Sequence, residues 1–119
     1  MQLKAPVPIV RSFDEARARA FYIDYLGFAQ DWAHRFAPEL PLYLQLFRGQ
    51  CVLRLSEHHG DRCPGAALPV ACNDLDGLLK ELQGKDYGFA RPGIEVQPWG
   101  RELRVLDPFG NRLVFCEES

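Results

Sequence analysis

The sequence predicts an α+β fold built twice over: two βαβββ modules, at about residues 1–60 and 65–119, whose curved mixed sheets form a single domain spanning 1–119. Three observations predict it. Each half carries the same order of patterns, a short apolar run, an amphipathic helical stretch and then strand, turn, strand. The halves are related by a shift of about 60 residues, with Val10 and Asp14 corresponding to Val70 and Asp74, and Gly27-Phe28 corresponding to Gly88-Phe89. Only two helical stretches are present, too few to cover both faces of two sheets, so a curved inner face is left to be filled or occupied.

Taken in order, the first apolar run is "PVPIVRS", followed by the helical stretch "RSFDEARARAFYIDYLG". Ser12 and Glu15 have capping-box spacing, and Asp14 adds negative charge at the helix start. Ala18, Phe21, Tyr22, Tyr25 and Leu26 fall on one stripe, and Gly27 stops the helix. The next strand, "FAQDWAHRF", alternates Phe28, Gln30, Trp32, His34 and Phe36 on one aromatic, polar-studded face. The hairpin "LYLQLFRGQCVLRLSEHH" completes the first module, and the turn-rich "EHHGDRCPGAA" is the connector. In the second module "ALPVACN" leads to "NDLDGLLKELQGK", which Asn73 or Asp74 can cap. Leu75, Leu78, Leu79 and Leu82 form its apolar face, and it ends near Gly84. The final hairpin, "ELRVLDPFGNRLVFCEE", turns at Pro108 and Gly110.

Composition narrows the function. The length of 119 residues suits one core, and 47% hydrophobic with 25% charged residues is globular composition. A net charge of −2 provides no basic footprint for nucleic acid, so none is expected as a partner. No apolar run approaches the roughly 18 residues that cross a bilayer, and "MQLKAPVPIV" is too short and proline-broken for a secretory leader, so no membrane association and a cytoplasmic location are expected. Cys51, Cys63, Cys72 and Cys116 are far apart with no C-x-x-C pair, and read as small hydrophobes kept reduced.

The paired modules, the "AFYIDYLGF" helix end, "SEHHGD", "QPWGRE" and "DPFGNRLVF" together resemble the glyoxalase/bleomycin resistance/dioxygenase superfamily, in particular its bleomycin resistance protein branch. The resemblance covers essentially the whole chain. It implies a curved open sheet per module, a homodimer, and ligand grooves near the subunit interface. It also implies where the superfamily's enzymes would hold a divalent metal, and those positions carry Val7, Arg54, Ala67 and Val114. Three aliphatic side chains and a guanidinium offer a cation no donor, so no metal and no cofactor are expected. His58 and His59 are adjacent, and on an extended strand they would point to opposite faces unless the chain turns near Gly60.

Nucleophilic catalysis finds little support, since Ser12 and Ser56 lack a G-x-S-x-G turn and no cysteine has an electropositive helix-start setting. Glu57, Glu102 and Asp107 could act as acids or bases, although such carboxylates are most often solvated strand-end charges. What remains is a concave, metal-free groove with aromatic walls, suited to stacking flat heteroaromatic groups. By resemblance, Trp32, Phe36 and Trp99 flank the ligand with Asp31 adjacent, and His34, Arg54 and His58 complete the expected binding set. The expected function is sequestration of a bleomycin-type or other planar aromatic drug without chemical change. The resemblance implies cationic drugs and an acidic surface, whereas this chain is near neutral, with Arg35, Arg54 and Arg104 where groove charges would lie. A lyase, isomerase or dioxygenase with an atypical site, or a non-catalytic interaction module whose aromatic face is a dimer seam, are the alternatives. Trp99, between Pro98 and Gly100, is either a ligand platform on a constrained, uncovered segment or a lid on the core.

Overall fold

The computed structural model describes residues 1–35, 37–58, 65–85, 87 and 91–118. Along the chain lie β1 (Ile9–Arg11), α1 (Glu15–Arg19) with a π-helical continuation (Ala20–Tyr25), β2 (Ala29–His34), β3 (Tyr43–Arg48) and β4 (Cys51–Ser56). The second half repeats the order with β5 (Ala67–Ala71), α2 (Leu75–Gln83), β6 (Ile94–Gln97), β7 (Gly100–Leu106) and β8 (Arg112–Glu118). The strands form two four-stranded mixed sheets, β1-β4-β3-β2 and β5-β8-β7-β6. In each, the first strand pairs parallel with the last and the other neighbours are antiparallel. The internal repeat extends to register: Ile9 faces Arg54 as Pro69 faces Val114, and Arg11 faces Ser56 as Ala71 faces Cys116.

Both helices start at an aspartate. Asp14 accepts from the Arg17 amide and Asp74 from the Gly77 amide, each at 3.0 Å. Ser12 is therefore not the cap. Its amide donates to the Ser56 carbonyl and prolongs the β1–β4 ladder, which leaves Asp14, extended at φ −152°, as the first residue free to turn back on the helix. The helical stripe Ala18, Phe21, Tyr22, Tyr25 and Leu26 is buried throughout, as its spacing predicts. The π-helical turn appears as the Leu26 amide donating to the Phe21 carbonyl, and Gly27, at φ +78°, reverses the chain. In α2, Leu75 and Leu82 are fully buried, Leu78 and Leu79 pack partly against the core, and Gly84 closes the helix.

The helices lie on one side of their sheets only. Leu44, Leu46, Leu53, Leu55 and Val10 of the first sheet, and Leu103, Val105 and Leu113 of the second, join both helices in one cluster. The modules are tied by the tight turn between β7 and β8. Asp107, 6% exposed, accepts from the Phe109 and Asn111 amides through Oδ1, and from the Tyr22 hydroxyl and Asn111 Nδ2 through Oδ2. Asn111, fully buried, also donates to the Arg11 carbonyl and accepts from the Gly65 and Ala66 amides. Asp107 is thus a structural acceptor rather than a solvated acid. Burial and the Asp107 charge push the Tyr22 hydroxyl well above its ordinary pKa, so it stays a donor. Outside the core, Arg48 of β3 pairs with Glu81 of α2 at 2.7 Å, and Lys85 donates to the Tyr25 carbonyl.

Removing the Asp107 acceptor strands four donors. Asp107→Ala is expected to cost more than about 3 kcal/mol in urea unfolding, against about 1–2 kcal/mol for Tyr22→Phe, which removes one bond. Equal losses would show that the turn amides find other partners. Arg48's hydrogen bond holds the Glu81 carboxyl below its usual 4.5. A lowered folded pKa stabilises above the unfolded value and is lost as pH falls through the folded one. The stability gap between the native protein and Glu81→Gln should therefore be present at pH 7 and close below about pH 4.5, staying under about 1 kcal/mol for so exposed a pair.

Candidate functional site

The faces opposite the helices carry the candidate site. On the first sheet, directly paired residues define three rows: His34, Tyr43, Ser56 and Arg11; Trp32, Gln45, Arg54 and Ile9; then Ala29, Phe47 and Val52. The placement of Trp32 depends on a β-bulge, because the register of β2 on β3 shifts between Gln30 and Trp32. Simple alternation would put Phe28, Gln30, Trp32 and His34 on one side. The extra residue, Asp31, instead leaves Phe28 buried and Gln30 on the helix side, where it accepts from Arg19. Trp32 and His34 are delivered to the open side.

There the side chains form a connected platform. The Trp32 and Tyr43 rings stack at 5.7 Å with 26° between planes, and the Arg54 guanidinium lies over both, 5.3 Å from the Trp32 centroid and 6.0 Å from that of Tyr43. Arg54 Nε donates to Gln45 Oε1, and Gln45 Nε2 donates to Asp31 Oδ2, each at 2.8 Å. His58 meets Tyr43 edge-on at 6.2 Å. Asp31, Trp32, Arg54 and His58 are thus brought together, and His34 shares their face in the same row as Tyr43. Tyr43 and Gln45 belong to the platform although neither was among the residues singled out from the sequence. The alternation of "LYLQLF" places Tyr43, Gln45 and Phe47 on one face and could have found them. Phe36, His59 and Cys63 lie outside the described residues, as does Gly88-Phe89.

The second sheet contributes a different group. Pro98 and Trp99 are the two-residue loop closing β6 onto β7, with Gln97 facing Gly100. Trp99 is 62% exposed, so it is no core residue, and its Nε1 donates to Glu102 Oε2 at 3.0 Å. Arg104 donates to the other oxygen of Glu102, which is 6% exposed. The indole N–H first, and Arg104 second, hold the Glu102 carboxyl below the usual range, which makes it an anchor for Trp99 rather than an acid. Gly100 is required here: at φ +148°, a Cβ would lie 2.4 Å from the Glu117 carbonyl oxygen. The local constraint on Trp99 thus comes from a hairpin loop, not simply from a strand's start.

Other expected groups are elsewhere. Arg35 donates to Glu15 and the Leu40 carbonyl, and Glu57 accepts from the Leu42 amide. Of the positions that the resemblance assigns to a metal, Val7 precedes β1, while Arg54, Ala67 and Val114 lie on β4, β5 and β8. Among the described residues no three His, Cys, Asp or Glu side chains are placed to hold an ion. Cys51, Cys72 and Cys116 are free, half-buried thiols lining a cleft of about 1170 Å³ at the seam of the modules, which contains neither tryptophan. Burial raises the Cys51 and Cys116 thiols. No helix is long and apolar enough to cross a membrane among the described residues.

Comparison with curated proteins by sequence gives no match. Among solved structures, a bleomycin-binding protein complexed with bleomycin superposes with a TM-score of 0.75 at 21% identity, over 98% of this chain and 100% of the other. The bleomycin-binding protein of bleomycin-producing Streptomyces verticillus, complexed with copper(II)-bleomycin, gives 0.73 at 25% identity, over 100% and 99%. TnmS3, an antibiotic-binding protein from Streptomyces sp. CB03234, gives 0.73 at 20% identity, with both chains fully covered. A family profile described as glyoxalase superfamily protein matches residues 1–119. With two repeated βαβββ modules, open sheet faces and a match over its full length, the chain belongs to the glyoxalase superfamily.

Proposed function

We propose that this protein is a reversible binder of a small planar aromatic molecule, an antibiotic of the bleomycin type or another planar drug, which it sequesters without chemical change. The observation that carries this reading is the platform of Trp32, Tyr43 and Arg54 on a sheet face that no helix covers. Flat rings gain from stacking and from displacing water off such a surface, and a preformed platform loses little entropy in accepting them. The similarity to bleomycin-binding and antibiotic-binding structures supports the same reading at the level of the fold.

In this proposal 1–119 act as one domain, and two copies associate so that the open face of one protomer's first sheet meets the Trp99 loop of the other. Within a single chain, Trp32 has Tyr43 and Arg54 as ring partners while Trp99 has Glu102, and no ring contact joins the two indoles. A second copy would cover the exposed Phe47, Trp99 and Leu106. The groove needs no metal, since Val7, Ala67 and Val114 offer no donor atoms and Arg54 repels a cation. The protein would work in the cytoplasm, where half-buried thiols stay reduced, with neither nucleic acid nor membrane as partner.

Titration with metal-free and copper-bound bleomycin is expected to give saturable binding to a species of twice the chain mass, with the drug recovered at unchanged mass. Turnover of the drug, or no binding of either form, would overturn this assignment. Trp99→Ala should leave the melting temperature nearly unchanged while weakening binding by about 1–3 kcal/mol, the effect of truncating an aromatic anchor. A large loss of stability with unaltered affinity would assign Trp99 to packing instead.

A further inference from the structure

We infer that, among planar aromatic ligands, this face favours those that carry an oxyanion, a carboxylate or its chemical equivalent, and that Arg54 is the side chain that takes it. The inference rests on the binding function proposed above and names the ligand's chemistry.

Among the described residues Arg54 has no counter-charge, unlike the five arginines that form ion pairs. Arg19, Arg35, Arg48, Arg101 and Arg104 each pair with a carboxylate. Arg54 spends only Nε, on the neutral amide oxygen of Gln45, and its Nη1 and Nη2 donate to no described residue. The nearest acid in that chain of bonds, Asp31, is held off by the same Gln45, which donates to it. Gln45 thus acts as a spacer that fixes the guanidinium without neutralising it.

The head group is also held in place. Its Cζ lies over the Trp32 and Tyr43 rings and its Nε is bound to Gln45, so the position of the fork its terminal nitrogens form is set before any ligand arrives. An oxyanion can take such a fork with two parallel, charge-assisted hydrogen bonds, and a ring attached to it falls beside the aromatic platform. A cation at the same place would meet the uncompensated guanidinium. A second guanidinium lies on the neighbouring strand in a row of the same face: Arg11 is 8% exposed, stacks over the Phe13 ring, pairs with no carboxylate among the described residues, and leaves its Nε buried without an acceptor.

The test compares three probes of one shape, 2-naphthoate, 2-naphthamide and 2-naphthylmethylammonium, by calorimetric titration of the full chain. Naphthoate is expected to bind tightest, roughly ten- to a hundredfold better than the amide, as a hydrogen-bonded ion pair in a partly desolvated setting would give. Its affinity alone should fall with added salt. Arg54→Gln should abolish the preference, bringing naphthoate and the amide to one affinity, and Arg54→Lys should restore part of the difference. Salt dependence in the native protein gives a reading that does not depend on either variant folding. Equal or tighter binding of the amide or the ammonium would overturn the inference while leaving an aromatic-binding face. Binding of none of the three, with bleomycin also failing to bind, would remove that face as a ligand site and the inference with it.

Discussion

The buried carboxylate of Asp107 is the constraint on which the arrangement of the modules depends. Four donors converge on it, and they come from both halves of the chain: two turn amides and the Asn111 side chain from the second, the Tyr22 hydroxyl from the first. Asn111 carries the connection onward to the Arg11 carbonyl at the end of β1 and to the Gly65 and Ala66 amides just before β5. Ionised groups are buried only where hydrogen bonds replace their lost hydration, and here that replacement is shared by elements far apart in sequence. Folding the second hairpin and docking the first helix are therefore linked events.

That linkage leaves the opposite faces uncovered. Both helices are consumed on one side of their sheets, and the residues on the other side must find ligand, partner or water. On the first sheet they found one another: an amide joins Asp31 to Arg54, and Arg54 lies over Trp32 and Tyr43. The bulge at Asp31 decides this, since a one-residue change of register moves every side chain beyond it to the other face. On the second sheet the same role falls to a two-residue loop that holds an indole in solvent, anchored through its N–H to a carboxylate.

Most of the fold was legible because it is periodic or repeated. The helical stripes, the Gly27 and Gly84 stops and the 60-residue shift all reappear in burial, caps and register. What was not legible was local and depended on the tertiary structure. The cap fell to Asp14 because Ser12 was taken by the β1–β4 ladder, and nothing in the helical pattern records that competition. The bulge left no trace in "FAQDWAHRF", so Phe28 and Gln30 were expected beside Trp32. Glu102 and Asp107 read as solvated acids because burial is not visible in a hairpin's sequence. Tyr43 and Gln45 could have been found by applying to β3 the alternation applied to β2. Exposure of Trp99 was one of the two readings the sequence offered, because Pro98 restricts the backbone before the ring and Gly100 frees it after.

The central claim is that the two tryptophans, which make no ring contact within one chain, are walls of one ligand groove. The chain has only Trp32 and Trp99, so the nitrogen–proton correlation spectrum of the labelled protein holds two indole N–H resonances. Titration with metal-free bleomycin should shift both along a single saturation curve. Movement of one indole alone, or of neither while the ligand binds, would place the ligand elsewhere and contradict the account.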